Sequence, residues 1–114
     1  DMYKLVTGAG ATYYARASVT HPIQLEKAIE EGIKHKGFSV IEVLSPCPTT
    51  AGRNIFSFKT PTEMYDWYEQ QVAVLKPGQT EAPDGKIGLG ILYVDDTKEE
   101  LCDVQAEKKE EAKK

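Results

Sequence analysis

The residue best suited to chemistry in this sequence is Cys47, which lies between two prolines, Pro46 and Pro48. A thiolate is both a nucleophile and a soft metal ligand. Each proline fixes its own φ and pushes the residue before it toward an extended conformation. The prolines therefore predict a stiff segment that holds the thiol in one place. A free cysteine is also often a small buried apolar residue, and one thiolate cannot form a tetrahedral metal site, so residue type alone leaves these roles open.

The segment before Cys47 predicts a strand buried on both faces. Its residues 38–44 are almost continuously apolar, which is typical of a parallel strand covered by helices on each side. Chemistry in α/β proteins is placed in loops at the carboxyl ends of such strands. We therefore predict the functional site in the loop after Leu44.

Arg53, in the Gly52-Arg53-Asn54 segment after the cysteine, is the second candidate site residue. Its guanidinium has the planar fork that fits a carboxylate or phosphate, so we consider it a possible anion contact. A solvated loop arginine is the alternative.

Other sequence features with a resemblance to functional motifs are interpreted as structural. His21 and His35 lie at the start and end of a predicted helix, without a carboxylate pattern that suggests a metal site. The glycines of Gly8-Ala9-Gly10 lead into a strand, which is the wrong order for a dinucleotide fingerprint. Gly85-Lys86-Ile87 lacks the Ser or Thr of a P-loop, so both glycine groups are interpreted as turns.

The elements that would position the cysteine loop follow from apolar spacing and from proline and glycine. A strand at 11–18, a helix from Pro22 to a stop at Gly37 and the strand at 38–44 form a unit of right-handed βαβ size. A capping box, Thr60-Pro61-Thr62-Glu63, begins a second helix that is predicted to run to about Leu75. A third strand is predicted at 87–94, where Gly88 and Gly90 indicate a close backbone approach.

These elements predict an α/β domain over residues 1–94 and a charged tail over 95–114, partly helical or disordered. The tail contains eight acidic and five basic residues, and so carries most of the net charge of −4. Its weak apolar pattern gives a helix little to bury.

The composition argues against two classes of protein, those that bind nucleic acid and those that associate with membranes. No basic patch with interleaved aromatic residues is present, so we expect no nucleic acid partner. Apolar runs are far shorter than a membrane span, and we expect no membrane association. Two cysteines 55 positions apart indicate a reducing cytoplasm; a Cys47–Cys102 disulfide is the less favoured alternative.

Several motifs together resemble one protein family. They are Gly10-Ala11-Thr12-Tyr13, Ala15-Arg16, His21-Pro22 and Ser45-Pro46-Cys47-Pro48-Thr49. Their order over residues 1–54 resembles the C-terminal part of the β subunit of 2-oxoacid:ferredoxin oxidoreductases, most closely the 2-oxoglutarate type; residues 87–94 resemble it weakly.

The resemblance implies a β-α-β-α-β fragment of a thiamin-diphosphate-binding fold, with a mostly parallel sheet and covering helices. It implies oxidative decarboxylation of a 2-oxoacid, formation of acyl-CoA and reduction of ferredoxin. The parent complex would hold thiamin diphosphate, Mg²⁺ and a [4Fe-4S] cluster. Cys47 would be the fourth thiolate of that cluster, and we expect the hydroxyls of Ser45 and Thr49 to hydrogen bond near its sulfur.

The family's Gly-Asp-Gly motif and its N-terminal Cys-x-x-Cys are absent from this sequence. We therefore expect a C-terminal portion of the subunit that is inactive alone and binds no cofactor by itself. Its partners would be the remainder of the β subunit, the α subunit and, through the complex, ferredoxin. The isolated chain is expected to self-associate through exposed strand edges.

Two alternatives remain from other classes. The chain could be an autonomous small α/β interaction module that has lost cofactor binding, because a three-stranded sheet leaves edges that invite pairing. It could also be a small hydrolase with Cys47 as nucleophile, although no paired histidine is recognisable.

Overall fold

The computed structural model describes residues 1–113 and shows a four-stranded sheet flanked by helices. In chain order its elements are α1 (Met2–Gly8), β1 (Tyr13–Ser18), α2 (Pro22–Lys34), β2 (Ser39–Leu44), a π-helix (Pro48–Ile55), α3 (Pro61–Gln71), β3 (Val72–Val74), a 3₁₀ turn (Pro83–Gly85), β4 (Ile87–Val94) and α4 (Leu101–Glu111).

The strand order is β2-β1-β4-β3. β1 pairs in parallel with β2, from Tyr13 opposite Ser39 to Ser18 opposite Leu44. β4 runs antiparallel to β1 and parallel to β3. The predicted βαβ unit and the α/β class are confirmed, and two of the three strand pairings are parallel.

One face of the sheet packs against α2. Tyr13, Ala15 and Ala17 of β1 form a buried cluster with Ala28 of the helix. A Cβ atom added at Gly32 would lie 2.9 Å from Cδ1 of Ile41, so the absence of a side chain lets α2 approach β2 closely.

The other face carries a second cluster and a polar network. Tyr14 is fully buried beside Val6 of α1, and its hydroxyl donates a hydrogen bond to the carboxylate of Glu42. The Arg16 guanidinium contacts the same carboxylate at 2.6 Å. Burial and then the Glu42 hydrogen bond raise the pKa of Tyr14 to about 12. Burial alone would raise the pKa of Glu42, but hydrogen bonds from Tyr14 and Arg16 outweigh it and lower that pKa.

β2 differs from its prediction, since none of its residues is buried and Val43 is 43% exposed. The strand lies at the edge of the sheet, where only β1 pairs with it among residues 1–113. Its covering helix, α2, lies on the side of Ile41, whereas Val40, on the opposite side with Glu42, packs against the cluster that contains Val6 of α1. The prediction of a strand buried on both faces is therefore wrong for the part of the chain that the structure describes.

The second helix also ends earlier than predicted. α3 ends at Gln71, and the β-branched segment Val72–Val74 forms β3 rather than a last helical turn. Pairing with Ile87–Leu89 of β4 satisfies its backbone and overrides the local helical pattern. Of the two glycines of β4 at which a close approach was predicted, Gly88 confirms it, because a Cβ atom there would lie 2.8 Å from Cδ1 of Leu75, whereas a Cβ atom at Gly90 would have its nearest neighbour at an ordinary 3.6 Å.

The segment after β4 makes polar contacts with the loop between α2 and β2. Asp96 lies 3.5 Å from Nδ1 of His35, and Asp103 lies 3.6 Å from the Lys36 ammonium. No residue of α4 is buried, in keeping with its weak apolar pattern. Within residues 1–113, every helix is too short or too polar to cross a lipid bilayer.

Candidate functional site

Cys47 follows the carboxyl end of β2 and caps the π-helix, which begins with Pro48. The preceding Pro46 is buried, whereas Cys47 is exposed. The two prolines thus have separate roles, since one fixes the loop to the body and the other starts the helix. The thiol faces solvent from an anchored position.

Hydrogen-bonding groups of three residues, Thr49, Thr50 and Ala51, surround the thiol. The Thr50 backbone N–H donates to Sγ of Cys47 at 3.4 Å, and the Thr49 hydroxyl lies at the same distance from that sulfur. The Thr49 hydroxyl, followed by the backbone N–H groups of Thr50 and Ala51, lowers the pKa of Cys47 to about 6. Cys47 is therefore mostly thiolate at neutral pH, the form that ligates soft metals and attacks electrophiles.

The backbone of the π-helix holds this arrangement against α3. The Gly52 N–H donates to the carbonyl oxygen of Cys47 at 2.9 Å, and the Phe58 N–H donates to the Gly52 carbonyl at 2.8 Å. Gly52 is buried, and a Cβ atom there would lie 2.8 Å from Sδ of Met64. Any larger residue would displace Met64 or the loop, so glycine is required for this packing.

Aromatic packing completes the support. The ring centroid of Trp67 lies 4.8 Å from that of Phe56 and 5.8 Å from that of Phe58. These contacts make Trp67 a packing residue rather than a stacking platform. Phe56 remains 47% exposed, so the cluster presents an apolar edge to solvent.

The structure brings only one of the other predicted site residues to the thiol. Thr49 contacts Sγ of Cys47, whereas Ser45 and Arg53 are exposed and make no hydrogen bond to that sulfur within residues 1–113. His21 and His35 bond to threonine hydroxyls, of Thr20 at 2.9 Å and Thr12 at 2.8 Å. These contacts agree with structural roles for both histidines.

Cys102 has a different environment from Cys47. Both cysteines are free and exposed, so the alternative of a disulfide between them is absent from the structure. Glu100 raises the pKa of Cys102 through its charge and a hydrogen bond. Residues 1–113 contain no group of three or more His, Cys, Asp or Glu side chains placed to hold a metal ion.

Sequence reasoning missed the backbone donors at Thr50 and Ala51. The signal was present, because Cys47-Pro48 has the same pattern as His21-Pro22 and Thr60-Pro61, each a cap residue followed by proline at the first helical position. A cysteine in that place receives the free N–H groups of the first helical turn.

Similarity to known proteins covers most of this chain. No family model matches it. The chain is 38% identical over 106 residues to 2-oxoglutarate synthase subunit KorB of Methanothermobacter thermautotrophicus, which covers 90% of this chain and 36% of that protein. It is 43% identical over 93 residues to the protein of the same name from Methanocaldococcus jannaschii, covering 79% of this chain and 34% of the relative.

More distant relatives have related names. The 2-oxoacid:ferredoxin oxidoreductase 2, subunit beta, of Aeropyrum pernix is 30% identical over 110 residues, covering 83% of this chain and 35% of that subunit. The chain thus spans about a third of the length of the curated relatives it matches.

A solved structure supports the same assignment. The 2-oxoglutarate:ferredoxin oxidoreductase from Magnetococcus marinus, with 2-oxoglutarate, coenzyme A and succinyl-CoA bound, aligns over 97% of this chain and 38% of its own. The TM-score is 0.71 at 25% sequence identity. The resemblance predicted from the motifs is therefore confirmed: in sequence and in fold, this chain is similar to part of the β subunit of 2-oxoacid:ferredoxin oxidoreductases.

Proposed function

We propose that this chain is the C-terminal portion of the β subunit of a 2-oxoglutarate-type 2-oxoacid:ferredoxin oxidoreductase. In the assembled complex, the reaction would release CO₂ from the 2-oxoacid, join the acyl group to coenzyme A and pass the electrons to ferredoxin. The similarity to 2-oxoglutarate synthase subunits over most of the chain supports this assignment. The remainder of the β subunit and an α subunit would be its partners.

Cys47 would supply the fourth thiolate of the [4Fe-4S] cluster. The observation that carries this proposal is the exposed thiol with the Thr49 hydroxyl and the Thr50 N–H each 3.4 Å from its sulfur, contacts that lower its pKa to about 6. Iron–sulfur clusters bind cysteine as the thiolate, so a sulfur that is already ionised at neutral pH fits such a ligand. The cluster, when bound, supplies one-electron transfer to ferredoxin.

The residues around Cys47 would adjust that electron transfer. Hydrogen bonds to a cluster sulfur affect the reduction potential, and Thr49 together with the Thr50 N–H is placed to provide them. Ser45 is proposed as a weaker contributor to the same surroundings. Arg53, exposed on the π-helix, is proposed as an anion contact in the complex.

This sequence lacks the Gly-Asp-Gly motif that holds the thiamin phosphates and Mg²⁺ in the family, so no residues in it match that binding site. We therefore propose that this chain contributes no catalytic residue and is inactive alone. Residues 1–94 would contribute the α/β part, and 95–114 a charged tail. A cytoplasmic location accords with two free cysteines.

The decisive experiment is Cys47→Ala in the assembled complex. We expect a strong loss of iron, acid-labile sulfide and ferredoxin reduction, with thiamin binding and decarboxylation largely retained, because the thiol serves only the electron path. Cys102→Ala is the matched control and should leave all five properties unchanged. A full cluster and wild-type electron transfer in Cys47→Ala would refute the assignment of this ligand.

The second candidate function, an autonomous interaction module, is favoured by one observation. β2 and β3 are edge strands, which offer unpaired backbone groups to another chain. The gene neighbourhood separates the two candidates, because an adjacent frame encoding the Gly-Asp-Gly and Cys-x-x-Cys part would support a divided β subunit. Calorimetry of the isolated chain with thiamin diphosphate and Mg²⁺ should show no binding; tight binding would contradict the proposed absence of a cofactor site.

A further inference from the structure

The outer edge of β2 has backbone groups without a partner. The carbonyl oxygens of Phe38 and Leu44 accept hydrogen bonds from N–H groups at the two ends of β1. Because backbone groups point alternately to the two sides of a strand, Ser39, Ile41 and Val43 direct their N–H and C=O groups away from β1. No other strand or loop within residues 1–113 bonds to them there. This edge can therefore accept a strand from another chain.

An apolar stripe of α2 lies beside this edge. Ala28 faces the sheet, and Lys27 borders a cavity between α2 and β4. Successive helical residues are about 100° apart, so Ile29 lies on the other side of Ala28 from Lys27, toward β2. Ile33 follows four residues later on the same stripe. These two isoleucines are 40% and 77% exposed, so the stripe is uncovered where the strand edge is open.

The position of α2 leaves the right space for a second copy of the helix. A Cβ atom at Gly32 would lie 2.9 Å from Cδ1 of Ile41 and 3.2 Å from Cε1 of Tyr13, so the helix passes between β1 and β2. If two β2 edges pair, the two helices are separated by two strand spacings, about 10 Å. Packed helices lie at about this distance, so the exposed isoleucines of the two copies would meet.

We propose that two copies of this chain pair through their β2 edges, antiparallel about a two-fold axis, which joins their two four-stranded sheets into one. A two-fold axis requires a surface that complements itself, and the edge and stripe meet this requirement in backbone groups and in helix spacing. The proposal concerns the 114-residue chain itself and does not rest on the proposed oxidoreductase function.

Charge along α2 favours the same arrangement. Glu26 lies on the stripe of Ile29 and Ile33, near the beginning of the helix, and Lys36 follows its end. Because the two helices also run antiparallel, Glu26 of each copy would lie near Lys36 of the other. A second copy of this chain therefore supplies charges that match the stripe.

Charge also selects the register. Opposed residues of an antiparallel pair point to the same face, so pairing of most of the strand places either Ile41 or Glu42 opposite its own copy. Two opposed Glu42 carboxylates would repel each other. In the register centred on Ile41, Ser39 of one copy lies opposite Val43 of the other, and Glu42 lies opposite Val40.

Disulfide cross-linking of the full chain tests this register. In a Cys47→Ser/Cys102→Ser background, Ser39→Cys/Val43→Cys should give a covalent dimer under mild oxidation, because opposed Cα atoms are about 5.5 Å apart. Each single variant should stay uncross-linked, because two copies of one position are displaced by about 13 Å along the strand. A double variant that does not cross-link, or single variants that cross-link equally, would overturn the proposal.

Proline variants locate the pairing in solution. By sedimentation velocity we expect a dissociation constant on the order of 10 μM for the wild-type chain, toward the weak end for protein interfaces. Val43→Pro removes an outward N–H of β2 and should raise it at least about tenfold. The Leu75 N–H donates to Leu89 of β4, so Val74 directs its N–H away from β4. Val74→Pro is therefore the matched control on the other edge and should change nothing.

Charge reversal tests the antiparallel direction without touching the strand. Glu26→Lys and Lys36→Glu should each raise the dissociation constant about threefold, and their combination should restore it, because the pair is reversed rather than removed. Additive losses in the combination, equal effects of the two proline variants, or a wild-type chain that is monomeric at about 200 μM would overturn the proposal.

Discussion

β1 and β2 are parallel neighbours of equal length, but the less apolar strand, β1, is the more buried of the two. β1 has the sequence Tyr-Tyr-Ala-Arg-Ala-Ser, and five of its six residues are buried. β2 has the more apolar sequence Ser-Val-Ile-Glu-Val-Leu, and none of its residues is buried. Position in the sheet accounts for the difference, because within residues 1–113 β1 has a strand on each side and β2 has a strand on one side only. Apolar sequence therefore indicates what a strand can bury, whereas topology determines what it does bury.

The exposed apolar residues continue from β2 onto the neighbouring part of the chain. Ile33 of α2 is 77% exposed, Phe38 before β2 is 50% exposed, and Val43 is 43% exposed. We refer to these three residues as the β2 flank. Exposed apolar side chains beside an open strand edge favour association with another chain.

The largest effect on stability should come from truncating a buried side chain at the centre of the sheet. Leu89→Ala removes a fully buried side chain of β4 and should lower the free energy of unfolding by about 3 kcal/mol, through lost burial and a residual cavity. Ile33→Ala, the same kind of truncation on the β2 flank, should change it by less than about 0.5 kcal/mol. Urea denaturation measures both; equal losses would remove the distinction between centre and flank.

The two cysteines also differ, because the pKa of Cys47 in the loop after β2 is lowered and that of Cys102 in α4 is raised. At pH 6, we expect iodoacetamide to alkylate Cys47 about 20-fold faster than Cys102. The lowered pKa of Cys47 gives it far more thiolate, and its weaker intrinsic nucleophilicity offsets only part of that advantage. Mass spectrometry of each peptide over time measures the ratio.

Thr49→Val should reduce this ratio, because it removes the hydroxyl that contributes most to lowering the pKa of Cys47. Thr7→Val, at a threonine of α1 that contributes to the pKa of neither cysteine, is the control. Equal rates at the two cysteines in the wild-type chain would show that the π-helix does not activate the thiol.

Self-association should weaken when the β2 flank is made charged. Replacing Ile33 and Val43 together by lysine should raise the dissociation constant of self-association about tenfold, since charge on an apolar contact surface opposes its burial. Sedimentation velocity over a concentration series measures this. Ile55→Lys, at a similarly exposed position on the π-helix, should have little effect. A wild-type chain that stays monomeric at high concentration would contradict the role of the flank.

The smallest effect concerns the polar network on the second face of the sheet. Tyr14→Phe should cost about 1 kcal/mol at neutral pH, because it removes the hydrogen bond to Glu42. The folded pKa of Tyr14, about 12, lies above its ordinary value of 10.0, so its stabilising contribution is present below pH 10 and is lost as pH rises toward 12.

The variant should therefore show a smaller loss of stability across that alkaline range than the wild type. Tyr65→Phe, on an exposed side chain of α3, provides the control. Parallel pH profiles of the free energy of unfolding for Tyr14→Phe and the wild type would contradict the assigned role of the hydroxyl.

Local signals predicted most of the elements. Pro22 and Thr60-Pro61 mark the first residues of α2 and α3, and β4 has the bounds that its apolar run indicated. The capping box is half formed: the Glu63 N–H donates to the Thr60 hydroxyl, but the Glu63 carboxylate accepts from the Lys59 N–H instead of from Thr60. Such signals act within one turn of chain, where sequence neighbours are also spatial neighbours.

Features that depend on distant parts of the chain were less predictable. Val72–Val74 becomes a strand only because β4 lies beside it, and β2 becomes an edge only through the order of strands in the sheet. At the site, Cys47 and its contact with Thr49 were predicted from the motif, whereas the donation from backbone N–H groups required the π-helix. Its wide turn brings Gly52 back to Cys47, a spacing of five residues that no short pattern in the sequence indicates.

Hydrogen exchange at the Gly52 amide measures how often the loop that carries Cys47 opens. The amide donates a hydrogen bond to the Cys47 carbonyl and Gly52 is buried, although the neighbouring Arg53 and Asn54 are exposed. Exchange of that hydrogen with deuterated solvent requires the loop to separate from Met64 and α3. The exchange rate of one glycine amide therefore reports how often the loop opens, while the thiol itself remains unmodified.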